Sequence, residues 1–138
     1  VLIEEFIGGR EFGCGLVITS EETIKLPVTE IIAHKEFFDY EAKYTAGMSD
    51  EITPAQIPAD LAAELQGLAA RVAAICSCRG IVRADFIVTP EGKIYMIEIN
   101  TVPGMSSGSI VPKQIVAAGL TMSQVLDKII EDTACERQ

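Results

Sequence analysis

Two carboxylates, an arginine and an asparagine fall on two short apolar segments spaced like paired strands. The first segment is Ile81-Val82-Arg83-Ala84-Asp85-Phe86-Ile87-Val88 and the second is Ile94-Tyr95-Met96-Ile97-Glu98-Ile99-Asn100. Between them lies Thr89-Pro90-Glu91-Gly92-Lys93, a turn composition with proline early and glycine late. Side chains alternate faces along a strand, so Arg83 and Asp85 share one face, as do Glu98 and Asn100. A register that sets Asp85 opposite Glu98 also sets Arg83 opposite Asn100 and merges the two faces. Like charges directly opposite each other are destabilising, so a cation is expected between them. Hard oxygen donors suit Mg2+ or Mn2+ better than zinc, and an adjacent arginine suits a phosphate. On these residues alone the alternative is a solvated hairpin face on which Arg83 and Asp85 neutralise each other.

The next segment, Thr101-Val102-Pro103-Gly104-Met105-Ser106-Ser107-Gly108-Ser109, is a loop of small and hydroxyl residues. It leads into a helical pattern from Ile110 to Ala118 that stops at Gly119. Pro112 suits the first turn, where its missing N–H has no partner to lose. Ser109 falls at the N-cap. A Gly/Ser loop ending at a helix N-terminus presents free N–H groups and a positive dipole end to an anion.

These pieces need a scaffold. Val1 to Ile7, Glu11 to Ile18 and Thr23 to Ile32 read as three strands, with turns at Gly8-Gly9 and Thr19-Ser20-Glu21. A long polar stretch, about Lys35 to Ala59, shows no period, and such loops are usually functional or disordered. Leu61, Leu65, Leu68, Val72 and Ile75 recur at helical spacing and mark a helix from Pro58 to Cys76. A last helix is expected from Thr121, where Gln124 completes a capping box and Met122, Val125, Leu126, Ile129 and Ile130 face the core. The expectation is one α+β domain over residues 1–138, a mostly antiparallel sheet with helices packed on one side.

Composition narrows the function classes. The chain has 138 residues, 49% apolar and 22% charged, ordinary for a globular domain. Its net charge of −9 argues against nucleic acid, whose backbone needs a basic surface. No apolar run reaches membrane-spanning length. Cys14, Cys76, Cys78 and Cys135 lack zinc or redox spacing, and His34 is the only histidine. Free thiols in a cytoplasmic protein are expected.

The run Glu98-Ile99-Asn100-Thr101-Val102-Pro103-Gly104-Met105, with Arg83-Ala84-Asp85 upstream, resembles the C-terminal part of the ATP-grasp domain of the D-alanine–D-alanine ligases. Asp39-Tyr40-Glu41-Ala42-Lys43-Tyr44 resembles that family's mobile loop over the active site. Val1 to Ile7 followed by Gly9-Arg10-Glu11-Phe12 resembles its nucleotide-hinge strand and the acidic position after it.

The resemblance implies ATP as co-substrate, two Mg2+ or Mn2+ ions on Asp85, Glu98 and Asn100, and D-alanine as substrate. Arg83 and Lys43 would meet the transferred phosphoryl group. Ser109 with the N–H of Ile110 would bind the second D-alanine carboxylate, and Gly104 would cradle the acyl intermediate. Glu4, Glu5 and Ile7 would meet adenine, and Glu11 the ribose. Tyr44 favours D-alanine over D-lactate as second substrate. Glu5 stands where many relatives carry a basic residue, and Phe38 where some carry tyrosine.

Family members carry two further regions, an N-terminal domain and a lobe with phosphate-binding lysines. The chain is therefore expected to be part of a homodimeric cytoplasmic enzyme of peptidoglycan synthesis, inactive by itself. The alternatives are another ATP-grasp carboxylate–amine ligase, including a D-Ala–D-lactate type, and a non-catalytic interaction module.

Overall fold

Arg10–Ile18 forms β1, an apolar strand whose middle is wholly buried. In the computed structural model, which describes residues 1, 3–33 and 49–135, β1 pairs antiparallel over its whole length with β5 (Gly80–Val88). Its other edge takes two short strands. β2 (Thr23–Lys25) pairs with Leu16–Ile18, and β3 (Thr29–Ala33) pairs with Glu11–Gly13. The single strand expected over Thr23 to Ile32 is broken at Leu26-Pro27-Val28, where Pro27 has no N–H to give a ladder. β4 (Ser49–Ile52) extends the sheet beyond β3, and β6 (Ile94–Asn100) extends it beyond β5. Every pairing among these strands is antiparallel. β4 lies in the stretch read as aperiodic; its residues Ser-Asp-Glu-Ile carry no apolar alternation.

Alternation along β1 builds two cores, one on each side of the sheet. Phe12, Cys14 and Leu16 point to α1 (Ala59–Ile75) and meet Leu65, Ala69 and Ala73, which stack one turn apart along that helix. Val82, Ala84, Phe86 and Val88 of β5 complete this layer. On the other face Val17 joins Leu26, Val111, Ile115 and Val125. Val111 and Ile115 belong to α2 (Ile110–Ala117), and Val125 to α3 (Met122–Cys135). The helices thus cover both faces, not one. Sequence periodicity hid the second layer because Gly13 and Gly15 leave Val17 as the apolar side chain of β1 on that face.

Two further expectations change. Residues 1 and 3–8 form no strand, because β5 ends at Val88 opposite Arg10 and offers nothing earlier to pair with. In α3 only Val125 is buried; Leu126 and Ile130 are exposed, while Met122 and Ile129 pack at the rim of the second core. The capping box at its start is formed as expected. Thr121 N–H donates to Gln124 Oε1 at 2.8 Å, and Gln124 N–H donates to Thr121 Oγ1 at 3.2 Å.

The β5–β6 hairpin carries one irregularity. Asp85 pairs with Glu98 and Phe86 pairs with Met96, so Ile97 is an extra residue, a β-bulge. Among the described residues no helix is long and apolar enough to cross a membrane.

Candidate active site

The register of the hairpin is the one that merges the polar faces: Asp85 lies opposite Glu98 and Arg83 opposite Asn100. Asp85 is almost fully buried, and Arg83 grips it with two parallel bonds, Nε to Oδ1 and Nη2 to Oδ2, each 2.8 Å. Asn100 stands between the carboxylates. Its Nδ2 donates to Asp85 Oδ2 at 3.2 Å and to Glu98 Oε1 at 3.0 Å. A polar N–H group therefore occupies the position where a cation is expected to relieve the two like charges. Among the described residues no three His, Cys, Asp or Glu side chains cluster; here the third group is an amide.

The electrostatics follow from this burial. Burial pulls the Arg83 pKa down, but hydrogen bonding to Asp85 and the charges of Asp85, Glu98 and Glu51 outweigh it, and the net shift is upward. Arg83 is thus held firmly in its charged form. Across the sheet, burial and then the charge of Asp85 push the Cys14 thiol up to about 12. That thiol is inert, which agrees with its place among apolar side chains.

The loop after β6 closes onto the start of α2. Ser109 is the N-cap by position, with extended backbone, but its hydroxyl makes no capping bond. It instead shares a 2.8 Å hydrogen bond with Ser106 Oγ. A Cβ on Gly104 would lie 2.9 Å from Ser109 Oγ, so the two expected substrate-contact residues are close neighbours. The first N–H groups of α2 have no side-chain cap and remain available to an anion.

The remaining expected positions are less gathered. Glu11 lies on β1 beside Gly13, on the face shared with Asp85. Glu4 and Glu5 are exposed and Ile7 is half-buried in the irregular N-terminal segment, so the structure does not bring them to the cluster. Lys43 and Tyr44, like His34 and Phe38, lie outside the described residues. Two residues escaped the sequence reading. Lys113 Nζ, on α2, reaches Glu51 Oε2 of β4 at 2.8 Å, and the Glu51 charge is felt by Arg83. The signal for Glu51 was hidden with β4 itself.

The sheet, layered between α1 on one side and α2 with α3 on the other, has the architecture of the C-terminal part of an ATP-grasp enzyme. A family model described as the D-ala D-ala ligase C-terminus matches residues 1–131, and the chain belongs to that family. A D-alanine–D-alanine ligase of Azobacteroides pseudotrichonymphae is 48% identical over 131 residues, covering 95% of this chain and 40% of that protein. The VanG D-Ala:D-Ser ligase of Enterococcus faecalis matches with a TM-score of 0.80 at 38% identity, over 92% of this chain and 37% of that one. The D-alanine–D-alanine ligase of Bacillus anthracis complexed with ATP matches with a TM-score of 0.75 at 34% identity, over 97% and 42%. The chain therefore spans about 40% of the length of the curated relatives it matches.

Proposed function

We propose that the protein carrying this domain joins two D-alanines to D-alanyl-D-alanine at the expense of ATP, for peptidoglycan synthesis. The observation that supports it most is the polar cluster of Arg83, Asp85, Glu98 and Asn100 in a domain of this family. In the first step a D-alanine carboxylate oxygen takes the γ-phosphoryl group of ATP, giving an acyl phosphate and ADP. In the second the amine of another D-alanine attacks the acyl carbon, loses a proton, and phosphate leaves. Such chemistry is mainly positioning and charge neutralisation.

Asp85, Glu98 and Asn100 fit two Mg2+ or Mn2+ ions by their donor set: two carboxylates and an amide whose oxygen can replace its NH2 group. Bound ions supply charge neutralisation at the phosphate oxygens. Arg83, held in place by Asp85, offers its remaining N–H groups to the transferred phosphoryl group and to charge on the tetrahedral intermediate. Lys43 contacts the γ-phosphate, and the segment bearing Lys43 and Tyr44 excludes water from the acyl phosphate. Ser109 and the Ile110 N–H hold the carboxylate of the second amino acid, with the Gly104 backbone against the acyl intermediate. Glu4, Glu5 and Ile7 meet adenine, and Glu11 meets ribose. The full-length enzyme is read as a cytoplasmic homodimer.

A second reading is carried by the likeness to the Enterococcus faecalis protein, whose name states D-Ala:D-Ser ligation. The test is ADP release by the full-length protein with Mg-ATP and D-alanine alone, then with D-serine or D-lactate added at fixed D-alanine. D-alanyl-D-alanine as the main product supports the first reading. A mixed dipeptide or depsipeptide as the main product replaces it. The 138-residue chain by itself, which spans about 40% of the length of its curated relatives, is expected to release no ADP.

A further inference from the structure

Helix α2 buries Ile110, Val111, Pro112, Gln114 and Ile115, and four of these five are apolar. Gln114 is fully buried. A carboxamide there costs stability unless it is hydrogen-bonded, and leucine would fill the same space without that cost. Its Nε2 donates to the backbone oxygen of Gly13 at 2.9 Å, across 101 residues of sequence. Its Oε1 has no hydrogen-bond partner among the described residues and occupies the space a Gly15 side chain would need.

The place of that bond is informative. Gly13 pairs with Asp85 in the sheet. A Cβ on Gly13 would meet Asp85 Oδ1 at 3.3 Å, Arg83 Cδ at 3.5 Å and Ile110 Cγ2 at 3.7 Å. Gly13 is thus the point where β1, the carboxylate–arginine pair and the first residue of α2 converge. Apolar packing alone lets a helix slide or roll by fractions of an ångström. A directional bond from the helix interior to one strand carbonyl does not. Lys113, the preceding residue, ties the same helix to Glu51 on β4.

We propose that Gln114 is a positioning residue that fixes the N-terminus of α2, and with it the Ser109–Ile110 carboxylate site, at a set distance from the Arg83–Asp85 pair. This rests on the reaction read above. Gln114 touches no reactant; it acts through the helix end. The acyl carbon and the incoming amine belong to groups held by different elements, so a helix end displaced by a fraction of an ångström raises the demand on the second amino acid first.

The experiment uses the full-length protein with Gln114→Met, which keeps the side-chain length and loses both polar atoms. Steady-state ADP release is measured against D-alanine and against ATP, with thermal melting alongside. The KM for the second D-alanine is expected to rise on the order of tenfold while the KM for ATP stays within about twofold. Gly15→Ala, which displaces the carboxamide while keeping Gln114, should give the same pattern and carries the test where Gln114→Met does not fold. Unchanged D-alanine kinetics, or D-alanine and ATP affected in equal proportion, would reduce Gln114 to core packing and overturn the proposal. A wild-type protein without D-alanine-dependent ADP release would instead refute the reaction on which it rests.

Discussion

Replacing Arg83 by alanine separates what this residue does for the fold from what it does for the reaction. Its side chain is 19% exposed and that of Asp85 only 4%, and two 2.8 Å bonds join them. Removing one partner of a buried pair typically costs about 3–5 kcal/mol, because the other charge is left uncompensated. Here the lower end applies. The guanidinium keeps some contact with solvent, and Asn100 Nδ2 stays within 3.2 Å of Asp85 Oδ2. About 3 kcal/mol in a domain of this size corresponds to a fall of roughly 10 °C in melting temperature. Asp85→Asn in the Arg83→Ala background removes the stranded charge and should restore more than half of that loss. Melting followed by circular dichroism at neutral pH, without nucleotide, measures both. In the full-length enzyme, turnover of Arg83→Ala should fall roughly 100- to 1000-fold with the KM for ATP little changed. A variant that melts within about 2 °C of the wild type would refute the burial argument. Weakened ATP binding with unaltered turnover would make Arg83 a ground-state binder.

Other outcomes follow from the same geometry. Glu98→Gln should raise the Mg2+ concentration for half-maximal ADP release by at least about tenfold, since loss of a mere supporting contact to a metal site already costs that much; an unchanged metal titration excludes Glu98 as a ligand. Cys14 is pushed from its ordinary value of 9.0 up to about 12 in the folded chain, so the unfolded chain gives up its proton first as pH rises. Its contribution to stability is intact below pH 9 and lost between pH 9 and about 12, and Cys14→Ala should flatten urea-unfolding stability in that window. Iodoacetamide at pH 8 should modify the exposed Cys76 and Cys135 of the native protein and spare Cys14, as peptide mass spectrometry would report. Thr121→Ala should cost about 1 kcal/mol of stability with turnover unchanged, because the capping box it breaks lies on α3 and outside the cluster.

What the sequence revealed and what it hid have physical causes. The β5–β6 pairing was legible because both segments combine apolar alternation with a short turn, and only one register brings Asp85 to Glu98. The helix Ala59–Ile75 was legible from its leucine spacing, and the start of α3 from Thr121 and Gln124. The second core was not, because Gly13 and Gly15 interrupt the apolar face of β1 and leave only Val17 to mark it. β4 was not, because its Ser49-Asp50-Glu51-Ile52 is polar and its place in the sheet is decided by β3. The Val1–Ile7 segment is apolar enough to read as a strand, but a strand needs an edge to pair with, and β5 has ended by then. Gln114 was missed as a polar residue in an apolar run; its helical phase beside Ile110, Val111 and Ile115 was the available sign.

The bulge at Ile97 makes the site a matter of counting. Ile94 and Ile99 are five residues apart, an odd number, and a regular strand would send them to opposite sides of the sheet. Both pack against the α1 core, because the extra residue between them resets the alternation. The same reset sends Glu98 and Asn100 to the other side, toward Asp85 and Arg83. Substitution at position 97 leaves that parity untouched. Loss of the extra residue would leave a regular ladder with both faces still in register, whereas gain of a further residue between Ile94 and Glu98 forces a choice between a seated core and an assembled site. Across descendants of this domain, the hairpin should therefore lose its extra residue far more readily than gain another.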